Sequence, residues 1–311
     1  MVRLVLACCV TVAAFAADLR LGIVGTDTSH VIAFTKLLND PSTPDHVSGA
    51  RVVAAYKGGS SDLKDSYTRV DKYAAELTQS WKVEMVPEIS GMCSKVDAFL
   101  LESVDGRKHL PQFREIVKCK KPVFIDKPLA STLADAREIA KLAKDNGVPW
   151  FSSSSLRYSD FVENLKRPGI TGAIVWGPGP MEEHHELDLS YYAIHPVETL
   201  FAILGPGCTE VSRVSGASMD EVTCRWKDGR VGTVRALRPY GDYGAVVFLE
   251  KEVVQTPPKP KFSYRSLLVE VIKFFQTGKP PVSNEETLEI FAMMDAAQRS
   301  KAAGGKPTAL K

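Results

Sequence analysis

The chain is predicted to be an α/β protein, with a doubly wound parallel sheet in its N-terminal half and a second, α+β half. Three observations predict this. From Arg20 to about Ser155, short apolar runs alternate with amphipathic stretches. Those runs are apolar throughout, as in strands of a parallel sheet covered by helices on both faces. After Ser155 the pattern changes to hairpin signals followed by two closing helices.

The elements follow in order. Leu21-Gly22-Ile23-Val24 is the first strand, ending in a turn at Gly25, with a helix from about His30 to Leu38. Val52 to Tyr56 is the second strand, and a charged helix follows from Asp62 to about Leu77. Asp97 to Leu101 is the third clear strand, then a helix from about Leu110 to Cys119 and a strand over Pro122 to Ile125. The next helix is capped by Ser131 or Thr132, shows an apolar face of Leu133, Ala136, Ile139, Ala140 and Ala143, and stops at Asn146-Gly147. Trp150-Phe151 opens a last strand. In the second half, Lys227-Asp228-Gly229-Arg230 is an Asp-Gly turn between two strands of an antiparallel hairpin, and Ala245 to Leu249 is a further strand. Gln255 to Pro260 is a Pro-rich connector. The final helix opens with a capping box, Ser283 and Glu286.

With 311 residues the chain has room for two domains. Apolar and charged contents of 44% and 24% are ordinary for a globular protein. A net charge of +2, with no basic run interleaved with aromatics, gives no support to nucleic-acid binding. The N-terminus is different material. Arg3, the apolar run Leu4 to Ala13 and the small-x-small Ala14-Phe15-Ala16 have the layout of a secretory signal peptide, too short to span a membrane. Export is therefore expected, with a first domain over 18–155 and a second over 156–311, and no membrane attachment after cleavage. Cleavage leaves Cys93, Cys119, Cys208 and Cys224, without metal-site spacing. Cys208 and Cys224 can pair in an oxidising compartment, but four unpaired buried thiols are the expected state.

The turn after the first strand is Gly25-Thr26-Asp27-Thr28-Ser29-His30. A dinucleotide fingerprint has glycine at its first, third and sixth positions; only Gly25 is present. Asp27 stands where backbone should approach a pyrophosphate, and its carboxylate repels phosphate unless turned away. Thr26, Thr28 and Ser29 offer hydroxyls at a helix N-terminus, which favours anions; capping the helix is the plainer role. At the end of the second strand, Lys57 and Ser60 stand where a ribose-binding acid is usual, an arrangement that suits a 2′-phosphate; a solvated turn is the alternative. Asp126-Lys127-Pro128 closes a strand at the end where ligands gather, so Lys127 is placed to donate to a substrate oxygen. His195 opens an apolar helix, can exchange a proton near neutral pH, and has Glu198 three residues on to hold its other ring nitrogen. His184 and His185 lie among acids, but adjacent histidines do not chelate from one face; a polar loop bordering a cleft is expected, with no metal.

Together, the Gly25 turn, Asp126-Lys127-Pro128, Ser-Leu-Arg157-Tyr158 and His195-Pro196-Val197-Glu198 resemble the Gfo/Idh/MocA oxidoreductases, which include glucose–fructose oxidoreductase and inositol dehydrogenases. The resemblance is strongest from Val96 to Tyr158 and around His195. It implies an N-terminal Rossmann domain that binds NAD or NADP, and a second domain built on an open, largely antiparallel sheet that carries substrate contacts and mediates a homo-oligomer. On that resemblance Lys127 positions substrate, His195 is the general base, and Tyr191 stands where many members have a carboxylate. His109 lies near the nicotinamide. His30 and Asp126 join Gly25, Thr26, Thr28 and Ser29 at the cofactor, and Lys57 with Ser60 tilts the choice toward NADP. Arg157, Tyr158, His185, Tyr192 and Glu198 are expected to contact substrate. Three functions compete: NAD(P)-dependent oxidation of a sugar or polyol hydroxyl, NAD-dependent glycoside cleavage, and cofactor-free carbohydrate binding by a degenerate dinucleotide site.

Overall fold

A computed structural model describes residues 17–311; the expected signal segment, Met1 to about Ala16, lies outside them. The first sheet has six strands, β1 (Leu19–Val24), β2 (Ala50–Tyr56), β3 (Glu84–Val86), β4 (Ala98–Leu101), β5 (Val123–Asp126) and β6 (Trp150–Ser153). They are all parallel, in the order β3-β2-β1-β4-β5-β6. Every residue of β4, β5 and β6 is buried, which is why these runs show no alternation; polar residues come only at the strand ends, Asp126 in β5 and Ser152-Ser153 in β6. The strand order reverses between β1 and β4, the switch point where a doubly wound sheet receives its ligand.

Helices cover both faces of this sheet: α1 (His30–Asn39), the short α2 (Lys64–Tyr67), α3 (Val70–Gln79), α4 (Gly106–Ile116) and α5 (Leu133–Asn146). Thr132 caps α5 by accepting from Asp135 N–H at 2.9 Å, and Gly147 ends it in the left-handed conformation. The expected helix over 62–77 is two pieces, because the chain breaks at Thr68-Arg69 and carries α2 over the top of the sheet. The helix expected from Leu110 starts instead at Gly106, where the Asp105 side chain caps it. β3 is too short to show a period in sequence.

The second half carries α6 (Asp160–Glu163), β7 (Ile170–Pro178), α7 (Ile194–Leu204), β8 (Cys208–Ser215), β9 (Met219–Trp226), β10 (Val231–Leu237), β11 (Gly244–Leu249), β12 (Val253–Gln255), α8 (Arg265–Thr277), α9 (Asn284–Ala302) and β13 (Thr308–Ala309). Its seven-stranded sheet runs β12-β11-β7-β10-β9-β8-β13 and is antiparallel except where β10 meets β7. Burial alternates along β9 and β10, so one face is covered and the other is open. The Asp228-Gly229 turn joins β9 to β10, with Gly229 at φ +90°. Among the described residues no helix is long and apolar enough to cross a membrane.

Two features differ from the sequence reading. The helix α8 returns to the first sheet: Leu267, Leu268, Val271, Ile272, Phe274 and Phe275 share a core with Leu21, Ile23 and Phe34. The division at 155 is therefore one of chain order, and the two halves are bound together in space. The cysteines are not free. Cys93 pairs with Cys119 and Cys208 with Cys224, with Cα–Cα separations of 5.0 and 6.0 Å. Spacing along the chain could not show these pairs, because each is made by tertiary approach. Closing loops of this size stabilises a fold by about 3 kcal/mol per bridge.

Candidate active site

Strand ends, loops and α7 surround a cavity of about 440 Å³, within the range of small-molecule pockets. Four groups of side chains line it. Thr28, Ser29 and His30 come from the start of α1; Lys127 follows β5; Tyr191, Tyr192 and His195 enter from the segment before α7 and its first turn; Asp65 and Arg69 come from α2 and its C-terminal end. Tyr240, Tyr243, Phe262 and Tyr264 form the mouth, with Tyr240 largely exposed.

The chemistry centres on Lys127 and His195. The Lys127 ammonium lies 5.9 Å from the centre of the Tyr192 ring, and burial lowers its pKa, while Asp126 and Asp65 act in the opposite sense. Ser154 Oγ lies 2.7 Å from His195 Nδ1. In the tautomer where Nδ1–H donates to that hydroxyl, Nε2 keeps its lone pair toward the cavity. Burial, and then the nearby Lys127 charge, press the imidazole pKa well below its ordinary value. His195 is thus neutral at pH 7 and able to accept a proton. Tyr192 and Tyr243 meet its ring edge-on at 5.6 and 5.9 Å and hold its plane. Glu198 does not hold the second ring nitrogen as expected. It is turned to Arg157 instead, and Ser154, from the end of β6, takes its place.

Tyr191 lines the cavity and donates to Asp65 Oδ2 at 2.7 Å, so a carboxylate does stand behind it, delivered from α2 rather than from its own segment. Asp65 also accepts from Arg69 at 2.7 Å. His30 Nδ1 and Asp126 Oδ2 are 2.7 Å apart, and although burial opposes ionisation, His30 and Lys127 hold the Asp126 carboxyl below its usual range.

Other expected site residues are placed elsewhere. Arg157 and Glu198 form a buried ion pair at 2.7 Å, and neither lines the cavity. Tyr158 is packed against the first core. His185 is buried between Asp105 and Ser190, 3.1 Å from each. His109 is fully buried and donates Nε2–H to Ser103 O at 2.7 Å, with Nδ1 3.2 Å from Leu129 O. It ties the loop after β4 to the loop after β5 and does not reach the cavity. Lys57 pairs with Asp71 at the surface. Ser60 is buried and donates to Asp105 at 2.5 Å, so neither is presented to a 2′-phosphate.

The dinucleotide groove can be tested on the loop after β1. Thr26 and Asp27 are completely buried. Thr26 N–H donates to Gly58 O at 3.3 Å and its hydroxyl to Val70 O at 3.2 Å. The Asp27 carboxylate faces the interior, accepting from Ser66 Oγ at 2.6 Å and Val104 N–H at 3.0 Å. Gly25 has φ +93°, and a Cβ there would lie 2.5 Å from Ser103 N, so the loop packs directly on the segment after β4. Thr26 and Asp27, two of the residues that would cradle a pyrophosphate, are covered by the chain itself, while Thr28 and Ser29 line the cavity; a dinucleotide does not fit the covered part of the loop as it stands.

Asp65, Arg69, Ser154 and the four mouth aromatics were not foreseen. Only the i, i+4 pairing of Asp65 with Arg69 was visible in sequence, and such pairs are common on solvated helices.

Comparison with known proteins agrees with this architecture. The model of an oxidoreductase family with an NAD-binding Rossmann fold, Gfo/Idh/MocA, matches residues 19–154. A search of curated sequences gave no match. Among solved structures, myo-inositol dehydrogenase from Lactobacillus casei, in complex with NAD(H) and myo-inositol, is 17% identical with a TM-score of 0.72, covering 95% of this chain and 97% of that one. Myo-inositol 2-dehydrogenase from Lactobacillus plantarum is 14% identical with a TM-score of 0.76, covering 95% of this chain and all of the other. An oxidoreductase from Agrobacterium radiobacter, in complex with NAD+, L-tartaric acid and magnesium, is 12% identical with a TM-score of 0.73, covering 94% and 99%. At these identities the likeness is one of fold.

Proposed function

The Rossmann domain of this chain, residues 19–154, belongs to the Gfo/Idh/MocA oxidoreductase family, and from that premise we propose an enzyme that deprotonates a sugar or polyol in the Lys127–His195 cavity. One observation carries the reading. A neutral, aromatic-clamped His195 and the Lys127 ammonium face the same small cavity, giving a base for a proton and a cation for the oxygen on which charge develops. Tyr240, Tyr243, Phe262 and Tyr264 supply ring faces for the C–H surface of a sugar, while Asp65, Arg69 and Tyr191 supply partners for its hydroxyls.

NAD(P)-dependent oxidation of that hydroxyl is the fuller form of this reading, supported by the family and by relatives solved with NAD or NAD(H). Lys57 and Ser60 lend no preference for NADP. Cofactor-free use of the cavity is the second reading, favoured by the covered loop at Thr26 and Asp27.

Saturation-transfer NMR with a panel of monosaccharides and polyols tests the shared core of both. Binding is expected, and Lys127→Met should weaken it about tenfold to a hundredfold, since a hydrogen bond from a charged group is worth about 1.5–3 kcal/mol. Failure of every sugar and polyol to bind would end the proposal.

We also propose that the protein is exported. Two disulfides favour an oxidising compartment, and the N-terminal sequence has the layout of a signal. Protein from its native host should begin near Ala17 or Asp18 and titrate no free thiol after denaturation. An intact N-terminus with reactive thiols would refute this.

A further inference from the structure

We infer that this chain closes its dinucleotide groove with its own residues 57–70, and that the cavity beside it performs redox-neutral proton transfer without NAD(P). The inference goes beyond the proposed sugar site and rests on it only for the identity of the cavity.

Three sets of contacts carry it. The first is backbone. At the switch point between β1 and β4, Thr26 N–H is spent on Gly58 O at 3.3 Å and Val104 N–H on the Asp27 carboxylate at 3.0 Å. A Cβ on Gly58 would lie 3.4 Å from Gly25 Cα and 2.5 Å from Gln112 Nε2, so this segment lies directly on the loop after β1. The second set anchors the segment. Ser66 donates to Asp27 at 2.6 Å, Ser60 N–H donates to Ser66 Oγ at 2.6 Å, and Ser60 Oγ donates to Asp105. Arg107 clamps Asp62 through two contacts of 2.9 and 2.8 Å while also holding Asp105. These contacts tie the segment to both neighbouring loops. The third is charge. Asp27 and the completely buried Glu102, neither of whose carboxyl oxygens has a hydrogen-bond partner, lie in the same interior. Burial, then Asp126 and Asp27, push the Glu102 carboxyl well above its ordinary range. Asp27, a carboxylate already accepting from Ser66 and Val104, sets negative charge where a pyrophosphate would lie.

A groove closed to the dinucleotide brings no nicotinamide to the cavity, so the chemistry inferred there is redox-neutral, and His195 and Lys127 both line the cavity where a small molecule can reach them. On an α-hydroxy carbonyl compound such as an aldose or ketose, His195 Nε2 takes the proton from the carbon beside the carbonyl. The C–H electron pair moves into an enediolate whose oxygen receives a hydrogen bond from Lys127. Returned by the same imidazole to the face it left, the proton regenerates the substrate; delivered on that face to the adjacent carbon, as the hydroxyl proton passes to the other oxygen, it gives the aldose–ketose isomer. Substrate and product are isomers, and no oxidant is consumed.

The test uses the purified full-length mature protein. Acid-released nucleotide is sought by mass spectrometry, and NAD+, NADH, NADP+ and NADPH are titrated by calorimetry. An aldose and ketose panel is incubated in D2O without nucleotide and followed by proton NMR. No nucleotide and no binding heat are expected, with deuterium entering the α-position of at least one sugar tenfold or more above blank, and His195→Ala abolishing it. Bound nucleotide at one per chain, micromolar titration by any of the four, or no exchange across the panel would each overturn the inference. A protein that binds sugars but needs nucleotide loses this inference and keeps the proposed site; one that binds no sugar loses the site as well.

Discussion

Replacing His195 by alanine is expected to lower turnover of whichever sugar or polyol the protein transforms by about a hundredfold or more, with the far-UV circular dichroism unchanged. The imidazole is the base proposed for the cavity, held by Ser154 and two tyrosine rings, and the other histidine lining the cavity, His30, is bonded to Asp126. The pH dependence follows from the same surroundings. Burial and the Lys127 charge depress the His195 pKa, so the base form persists as pH falls below the ordinary histidine value of about 6.5. The acid limb of the rate profile should therefore lie below that value, with activity retained above it and lost as pH drops through the depressed pKa. Lys127→Met removes one of the three causes, burial and His30 being the others, and should move that limb upward as well as lowering the rate. Full activity in His195→Ala, or an acid limb above pH 7 in the wild type, would remove His195 as the base.

Arg157→Met should cost about 3–5 kcal/mol of folding stability, a large share of the roughly 5–15 kcal/mol that holds a domain folded. Arg157 Nε donates to Glu198 Oε2 at 2.7 Å, and Nη2 lies 2.7 Å from Glu286 Oε1 without hydrogen-bond alignment. All three side chains are at least 85% buried, with exposures of 8%, 4% and 15%. The arginine follows β6, Glu198 sits on α7 and Glu286 on α9, so the triad joins the first sheet to the helices of the second half. Removing the cation leaves two buried carboxylates facing each other, which is why breaking such a group costs more than the intact group contributes. Pairing the change with Glu198→Gln should restore part of the loss, because only one buried charge then remains. Urea unfolding of the three proteins measures it. A single variant within 1 kcal/mol of wild type would mean the triad is solvated in solution.

His195, singled out by its type and its place at a helix start, and Lys127, singled out by its position at a strand end, are brought to one cavity. Arg157, Glu198, His185 and His109 carry the same chemical types in similarly suggestive places, yet each is consumed by a buried internal partner. Residue type and spacing report what a side chain can do, while its partner is chosen by packing. Asp65 is the converse case. It looked like one charge among many on a solvated helix, and the break at Thr68-Arg69 turns it toward Tyr191.

The sequence by itself determined the doubly wound sheet, because strands buried on both faces must be continuously apolar and the helices between them must be amphipathic. It determined the β9–β10 hairpin through Asp228-Gly229, both ends of α5 and the start of α9 through their caps, since these signals act over a few residues. Only the tertiary structure decided that α8 completes the first core and that Cys93 meets Cys119 and Cys208 meets Cys224. It alone decided, too, that Gly58, Ser66 and Val70 lie over the loop at Thr26 and Asp27. Each depends on segments distant in the chain being brought together by burial of apolar surface and pairing of buried polar groups, and no local pattern encodes that approach.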